Sequence, residues 1–154
     1  MRAAGTAAHA LHHVRWQRAG GGNMSKIAPA VSQARIFGGS PREVRGVRDF
    51  VGQLVDGYPA ADDVVLLSSE LATNAILHTA SGADGTFSVS VLVESGWVRV
   101  EVHDLGSVTA PAVRRSCQPG ESGAGLSLVD TIADRWGTHG GPSGRVVWFE
   151  MDRH

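Results

Sequence analysis

Cysteine is almost absent. Cys117 is the single one in 154 residues, so no intrachain disulfide can form, and a reducing compartment fits best. Lysine is equally scarce: Lys26 stands alone among fourteen basic residues. That bias toward arginine, with abundant Ala, Gly and Val, points to a GC-rich genome. An excess of charge of one sign is also missing. A net charge of −1 argues against the basic footprint of direct nucleic-acid binding and against a polybasic membrane patch. No run reaches the roughly eighteen apolar residues of a membrane span. The N-terminus lacks the apolar core of a secretory leader. These absences together predict a cytoplasmic protein without a membrane association. His12 and His13 have no clustered Cys or carboxylate partners, so they make no zinc-type site.

What is present reads as one domain behind an N-terminal extension. Residues 1–30 hold Gly20-Gly21-Gly22 and no sustained periodicity, which predicts disorder; Met24 offers a second start for the chain. The domain is expected over residues 31–154. Ala34 to Phe37 is a short candidate strand. Ser40, Pro41 and Glu43 look like an N-cap, first helical position and third position, ahead of Val44, Val47, Phe50, Val51, Leu54 and Val55 at helical spacing. Gly57 ends that run. A second helix is expected from about Ala60, with Asp62 and Asp63 at its positive end, broken at residues 81–85.

Two alternating segments follow, one with Phe87, Val89, Val91 and Val93, the other with Val98, Val100 and Val102. Glu94-Ser95-Gly96 joins them as a hairpin. Residues 104–124 form a loop rich in Gly, Pro and Ser. A helix is predicted from about Gly125, then a final hairpin of residues 136–138 and 145–151, with Trp136, Trp148 and Phe149 in the core. The order β-α-α-β-β-loop-α-β-β segregates helices from hairpins. It predicts an α+β fold: a two-layer sandwich of a mixed, mostly antiparallel sheet with helices on one face.

The second helix carries the sharpest feature. In Glu70-Leu71-Ala72-Thr73-Asn74-Ala75-Ile76-Leu77-His78 the polar residues Glu70, Asn74 and His78 recur every fourth position. At about 100° per residue they are about 40° apart, so they line one stripe of an otherwise apolar helix. Two readings fit. A carboxylate and an amide in a buried helix need partners, and a hydrogen-bond network could supply them. Alternatively, the Asn74 oxygen is a ligand of Mg²⁺ whose other positions go to phosphates and water, with Glu70 able to accept a proton. His78 suits the helix end. Asp104, directly after a strand and before Gly106, is either turn chemistry or an acceptor for a ligand amino group. Gly123-Ala124-Gly125 opens a helix, as either a common structural start or an anion-facing one. No Gly-Lys-Ser/Thr is present, so a P-loop is excluded. Arg114 and Arg115 lie in the loop, where solvated charge is the default.

Taken in order, three segments resemble those of the small stand-alone members of the histidine-kinase-like ATPase (GHKL, Bergerat-fold) superfamily, related to anti-sigma-factor serine/threonine kinases. They are residues 70–78, the run Val102-His103-Asp104-Leu105-Gly106, and the run from Gly123 to Val129; residues 133–137 and 144–148 also resemble that family's C-terminal segments. The resemblance covers about residues 34–151. It implies an ATP site between helices and sheet. Asn74 would hold Mg²⁺ and Glu70 would be the general base. Asp104 would take the adenine amino group, Gly106 would let the base approach, and Gly123 and Gly125 would shape the lid and the phosphate-facing helix start. Residues 105–124 would be the lid.

The resemblance also implies partners: a sigma factor, an anti-sigma antagonist protein and a second copy in a homodimer. The chain departs from the family at Val108, where a second glycine is frequent, at Ala124, where arginine is common, and at Val146, where a threonine often supports the base contact. A lost hydroxyl removes about 1 kcal/mol of net hydrogen bonding. Three functions follow: a kinase that phosphorylates the antagonist and sequesters the sigma factor, a non-catalytic interaction module with a weak or degenerate ATP site, or a simple ATP hydrolase.

Overall fold

A computed structural model describes residues 31–82, 84–107 and 124–154. Strand β1 is Val31–Gly38, followed by helices α1 (Glu43–Leu54) and α2 (Ala61–His78) and a 3₁₀ turn (Ala80–Gly82). Then come β2 (Thr86–Val93), β3 (Trp97–Asp104), α3 (Ala124–Ile132), β4 (Arg135–Gly141) and β5 (Gly144–Asp152). The five strands form one sheet in the order β1-β2-β3-β5-β4, and every pairing is antiparallel. The expected α+β sandwich is thus observed, with the helices on one face.

Alternation decides which face each residue takes. Phe87, Val89 and Val91 of β2, Val98, Val100 and Val102 of β3, and Val147, Phe149 and Met151 of β5 are buried. They form one cluster with Val47, Val51 and Val55 at the inner side of α1 and Val64, Leu67, Leu71 and Ala75 of α2. Burying each such side chain stabilises the fold by about 1.5–3 kcal/mol. Phe37 joins β1 to this core, stacked on Phe87 with ring centroids 5.6 Å apart. The Tyr58 hydroxyl ties the α1–α2 connection to β5 by donating to the Met151 carbonyl at 2.9 Å.

Two expectations are corrected. The α1 cap is not Ser40: the helix begins at Glu43 after Arg42, with no side-chain cap bond. Ser40 builds a turn just ahead instead, its carbonyl accepting the Glu43 N–H at 2.9 Å. Trp148 is not in the core. Its neighbour Phe149 takes the inner face, so Trp148 must take the outer one, where the Arg99 guanidinium lies 3.9 Å from its ring centroid. Trp136 packs against the edge of the core and donates its indole N–H to Asp130 at 3.0 Å. None of the helices in the described residues is long and apolar enough to cross a membrane.

Candidate functional site

Helix α2 packs over β2 and β3, and the 3₁₀ turn that follows it reaches the end of β3. Its hydroxyl residues do not disrupt it. Ser68, Ser69 and Thr73 donate back to the carbonyls of Val64, Val65 and Ser69 at 2.7–2.9 Å, which also satisfies the fully buried Ser68. Glu70 and Asn74 are half-buried and His78 is exposed. Neither Glu70 nor Asn74 makes a side-chain hydrogen bond among the described residues. The stripe is therefore less buried than an apolar helix predicts, and no hydrogen-bond network among the described residues consumes it. Of its two readings, the intramolecular network is the one the described residues do not contain.

Asp104 is different. It is the last residue of β3, shares the inner face with Val98, Val100 and Val102, and is 9% exposed. Its Oδ1 accepts the Gly106 N–H at 2.6 Å. Burial pushes the carboxyl above its ordinary value, and the Gly106 N–H and the charges of Arg145 and His103 offset that only in part.

The backbone beyond Asp104 is held on two sides. The Ser81 hydroxyl accepts the Leu105 N–H at 2.9 Å, and the Ala80 N–H donates to the Gly106 carbonyl at 3.1 Å. Arg145 of β5 donates to the Ser107 carbonyl at 3.1 Å. Thr79 braces Ser81, accepting its N–H at 3.1 Å while donating to the Ala75 carbonyl at 2.6 Å. The turn is thus joined to α2 through the 3₁₀ segment and to the sheet through β5.

Gly106 has φ +81°, a conformation that side chains disfavour, and a Cβ there would run into the carbonyl oxygens of Pro142 and Gly141. The need for glycine comes from the fold, because the β4–β5 turn already fills that space. Val146, read as the position of a supporting hydroxyl, lies on the outer side of β5 with Trp148 and Glu150. The β5 residue in register with Asp104 is Arg145, only 8% exposed.

Of the expected site residues, Glu70, Asn74, Asp104 and Gly106 are brought to the α2 side of the sheet. Gly125 is the second residue of α3. Gly123, Val108 and most of the expected lid lie outside the described residues. Ser81, Thr79 and Arg145 were given no role in the sequence reading. Arg145 had a readable signal: it occupies the apolar phase of a strand that continues with Val147, Phe149 and Met151.

A buried acceptor at a strand end, on the sheet face that α2 covers, together with an uncommitted carboxylate and amide on α2, suits a ligand with an amino group at one end and an anionic, metal-bound group at the other. No cluster of three or more His, Cys, Asp or Glu occurs among the described residues. A cation here would rely on Asn74 with ligand oxygens and water, which fits the coordination habit of Mg²⁺.

Fold and candidate site together describe a two-layer sandwich in which α2 and the end of β3 carry the residues that the motifs marked. The model of the histidine kinase-like ATPase domain matches residues 37–151, and the chain belongs to that family. It is 31% identical over 97 residues to the anti-sigma F factors of Geobacillus kaustophilus (strain HTA426) and Geobacillus stearothermophilus, covering 57% of this chain and 66% of each of theirs. The match thus spans just under two thirds of those relatives. The fold is also similar to a crystal structure of the RsbU and RsbW domains of a Mycobacterium tuberculosis protein. The TM-score is 0.61 at 19% identity, over 80% of this chain and 33% of that one. At that identity the likeness concerns the fold alone.

Proposed function

We propose that this chain is a cytoplasmic ATP·Mg²⁺-binding regulator of the anti-sigma type, which phosphorylates a Ser or Thr of a small antagonist protein and sequesters a sigma factor. The observation that carries this reading is the buried Asp104, a desolvated acceptor on the same face of the sheet as the Glu70–Asn74 stripe. Asp104 accepts the adenine amino group. Asn74 holds Mg²⁺, which when bound neutralises charge on the phosphates. Glu70 orients the acceptor hydroxyl and takes its proton. The hydroxyl oxygen bonds to the γ-phosphorus, the bond from that phosphorus to the β–γ bridging oxygen breaks, and ADP leaves. Gly125 at the start of α3 contributes a backbone N–H toward the phosphates.

Calorimetric titration of ATP with Mg²⁺ into the full chain tests the site. Binding should be lost in Asp104→Asn and in Asn74→Ala. Binding that ignores both changes removes the assignment. Label transfer from the γ-phosphate to the antagonist then tests the chemistry. Glu70→Ala should bind ATP and transfer nothing. Binding without transfer in the wild type leaves a nucleotide-responsive interaction module, and turnover without a protein acceptor indicates a hydrolase.

A further inference from the structure

We propose that Arg145 is a positioning residue of the base site: its guanidinium, lodged between β5 and the turn after β3, fixes Asp104 as the reader of a nucleobase amino group. The inference rests on the nucleotide reading above and goes beyond it, because the family resemblance assigns no role to Arg145.

Three observations support it. Arg145 is paired in register with Asp104 across the β3–β5 ladder, and both side chains lie on the inner face. It is 8% exposed, an unusual position for an arginine and one that requires partners. It donates to the carbonyl of Ser107, three residues beyond Asp104, and so secures the turn from the sheet side while Ser81 secures it from the helix side. Its positive charge also favours the ionised form of Asp104, which burial opposes. An ionised, immobile carboxylate accepts from an amino group; a protonated or rotated one loses that selectivity. An arginine so placed acts on base selection rather than on the phosphates, which the α2 stripe would face.

The test compares ATP with purine riboside triphosphate, which lacks the 6-amino group, each titrated with Mg²⁺ into the full chain. Wild type should prefer ATP by about tenfold, the usual scale of a hydrogen bond to a charged group. Arg145→Gln should bind both nucleotides alike, at about the wild-type affinity for the analogue. Arg145→Lys, which keeps the charge and a donor, should restore most of the preference. Circular dichroism checks that each variant is folded. A folded Arg145→Gln that keeps the preference overturns the inference, as does one that weakens both nucleotides by the same factor. Should Arg145→Gln not fold, a folded Arg145→Lys that has lost the preference overturns it. Wild type that binds both equally overturns this inference alone. Wild type that binds neither overturns the nucleotide reading and this inference with it.

Discussion

Arg99 and Arg145 stand on opposite faces of the same sheet, one in β3 and one in β5; Arg99 has two carboxylates for neighbours and Arg145 lies in register with Asp104. On the outer face Arg99 bonds Glu101 at 2.7 Å and Glu150 at 2.8 Å, and Arg135 bonds Glu150 at 2.6 Å. Burial raises the pKa of Glu101 and Glu150, but the hydrogen bonds from these arginines and from His103 outweigh it, so both carboxyls sit below the usual value. On the inner face Asp104 sits above the usual value in spite of Arg145, because burial dominates. The outer charges satisfy one another. The inner carboxylate is left short of donors, which is costly for folding alone and useful if a ligand supplies one. In the proposed function one face serves stability and the other binding, and the following experiments can break that contrast or sharpen it.

The largest effect is expected at the turn that holds the inner carboxylate. Gly106→Ala combines a left-handed backbone with a collision against the Pro142 carbonyl. It should cost about 3 kcal/mol, from roughly 1–2 for the backbone and a similar amount for overpacking. Urea denaturation measures it. A loss under about 1 kcal/mol would mean that the turn is not held as tightly as its hydrogen bonds imply.

Asp104→Asn separates stability from binding. Removing a carboxylate that folding desolvates should leave stability unchanged or slightly higher, while nucleotide affinity falls at least tenfold, about 1.4 kcal/mol. Paired denaturation and calorimetry decide. A variant that is clearly destabilised and still binds would reverse the roles assigned to the two faces. Glu150→Gln should do the opposite. It weakens bonds to Arg99 and Arg135, at a cost held by solvent screening to about 1 kcal/mol, with nucleotide binding untouched. Added salt should shrink that cost.

Much of this architecture was legible in the sequence. The alternation of Val98, Val100 and Val102 marked the inner phase of β3, and the polar stripe of α2 marked the helix bordering the site. Trp148 was misread because aromatic character was weighed above strand phase; Phe149 next to it had already claimed the core. Ser40 was misread because a capping pattern fits a turn one step earlier as well. The pairings that clamp the Asp104 turn could not be read. Ser81 and Leu105 are 24 residues apart, and Ser107 and Arg145 are 38 apart, so only the folded sheet shows that they meet. The motifs marked the groups that would touch a ligand; of the residues that would hold those groups in place, Arg145 alone carries a local signal, its place in the apolar phase of β5.

Acid gives the smallest effect and separates the faces by sign. A carboxylate whose folded pKa is lowered, such as Glu150, stabilises the fold fully above its unfolded value near 4.5, and that contribution is lost as pH falls through the folded pKa. Asp104 has a raised folded pKa, so its charge opposes folding at neutral pH. The penalty disappears as pH falls through the folded value toward the unfolded one near 3.8, because the folded state takes up its proton first. On acidification, the stability deficit of Glu150→Gln against wild type should therefore close from below, and any advantage of Asp104→Asn should close from above. Nucleotide affinity of the wild type should fall over the same window in which Asp104 takes its proton. Urea midpoints of the three proteins from pH 7 to pH 3.5 give the stability curves. If the two differences approached zero from the same side, both carboxylates would be structural, and the inner face would have no claim to a ligand.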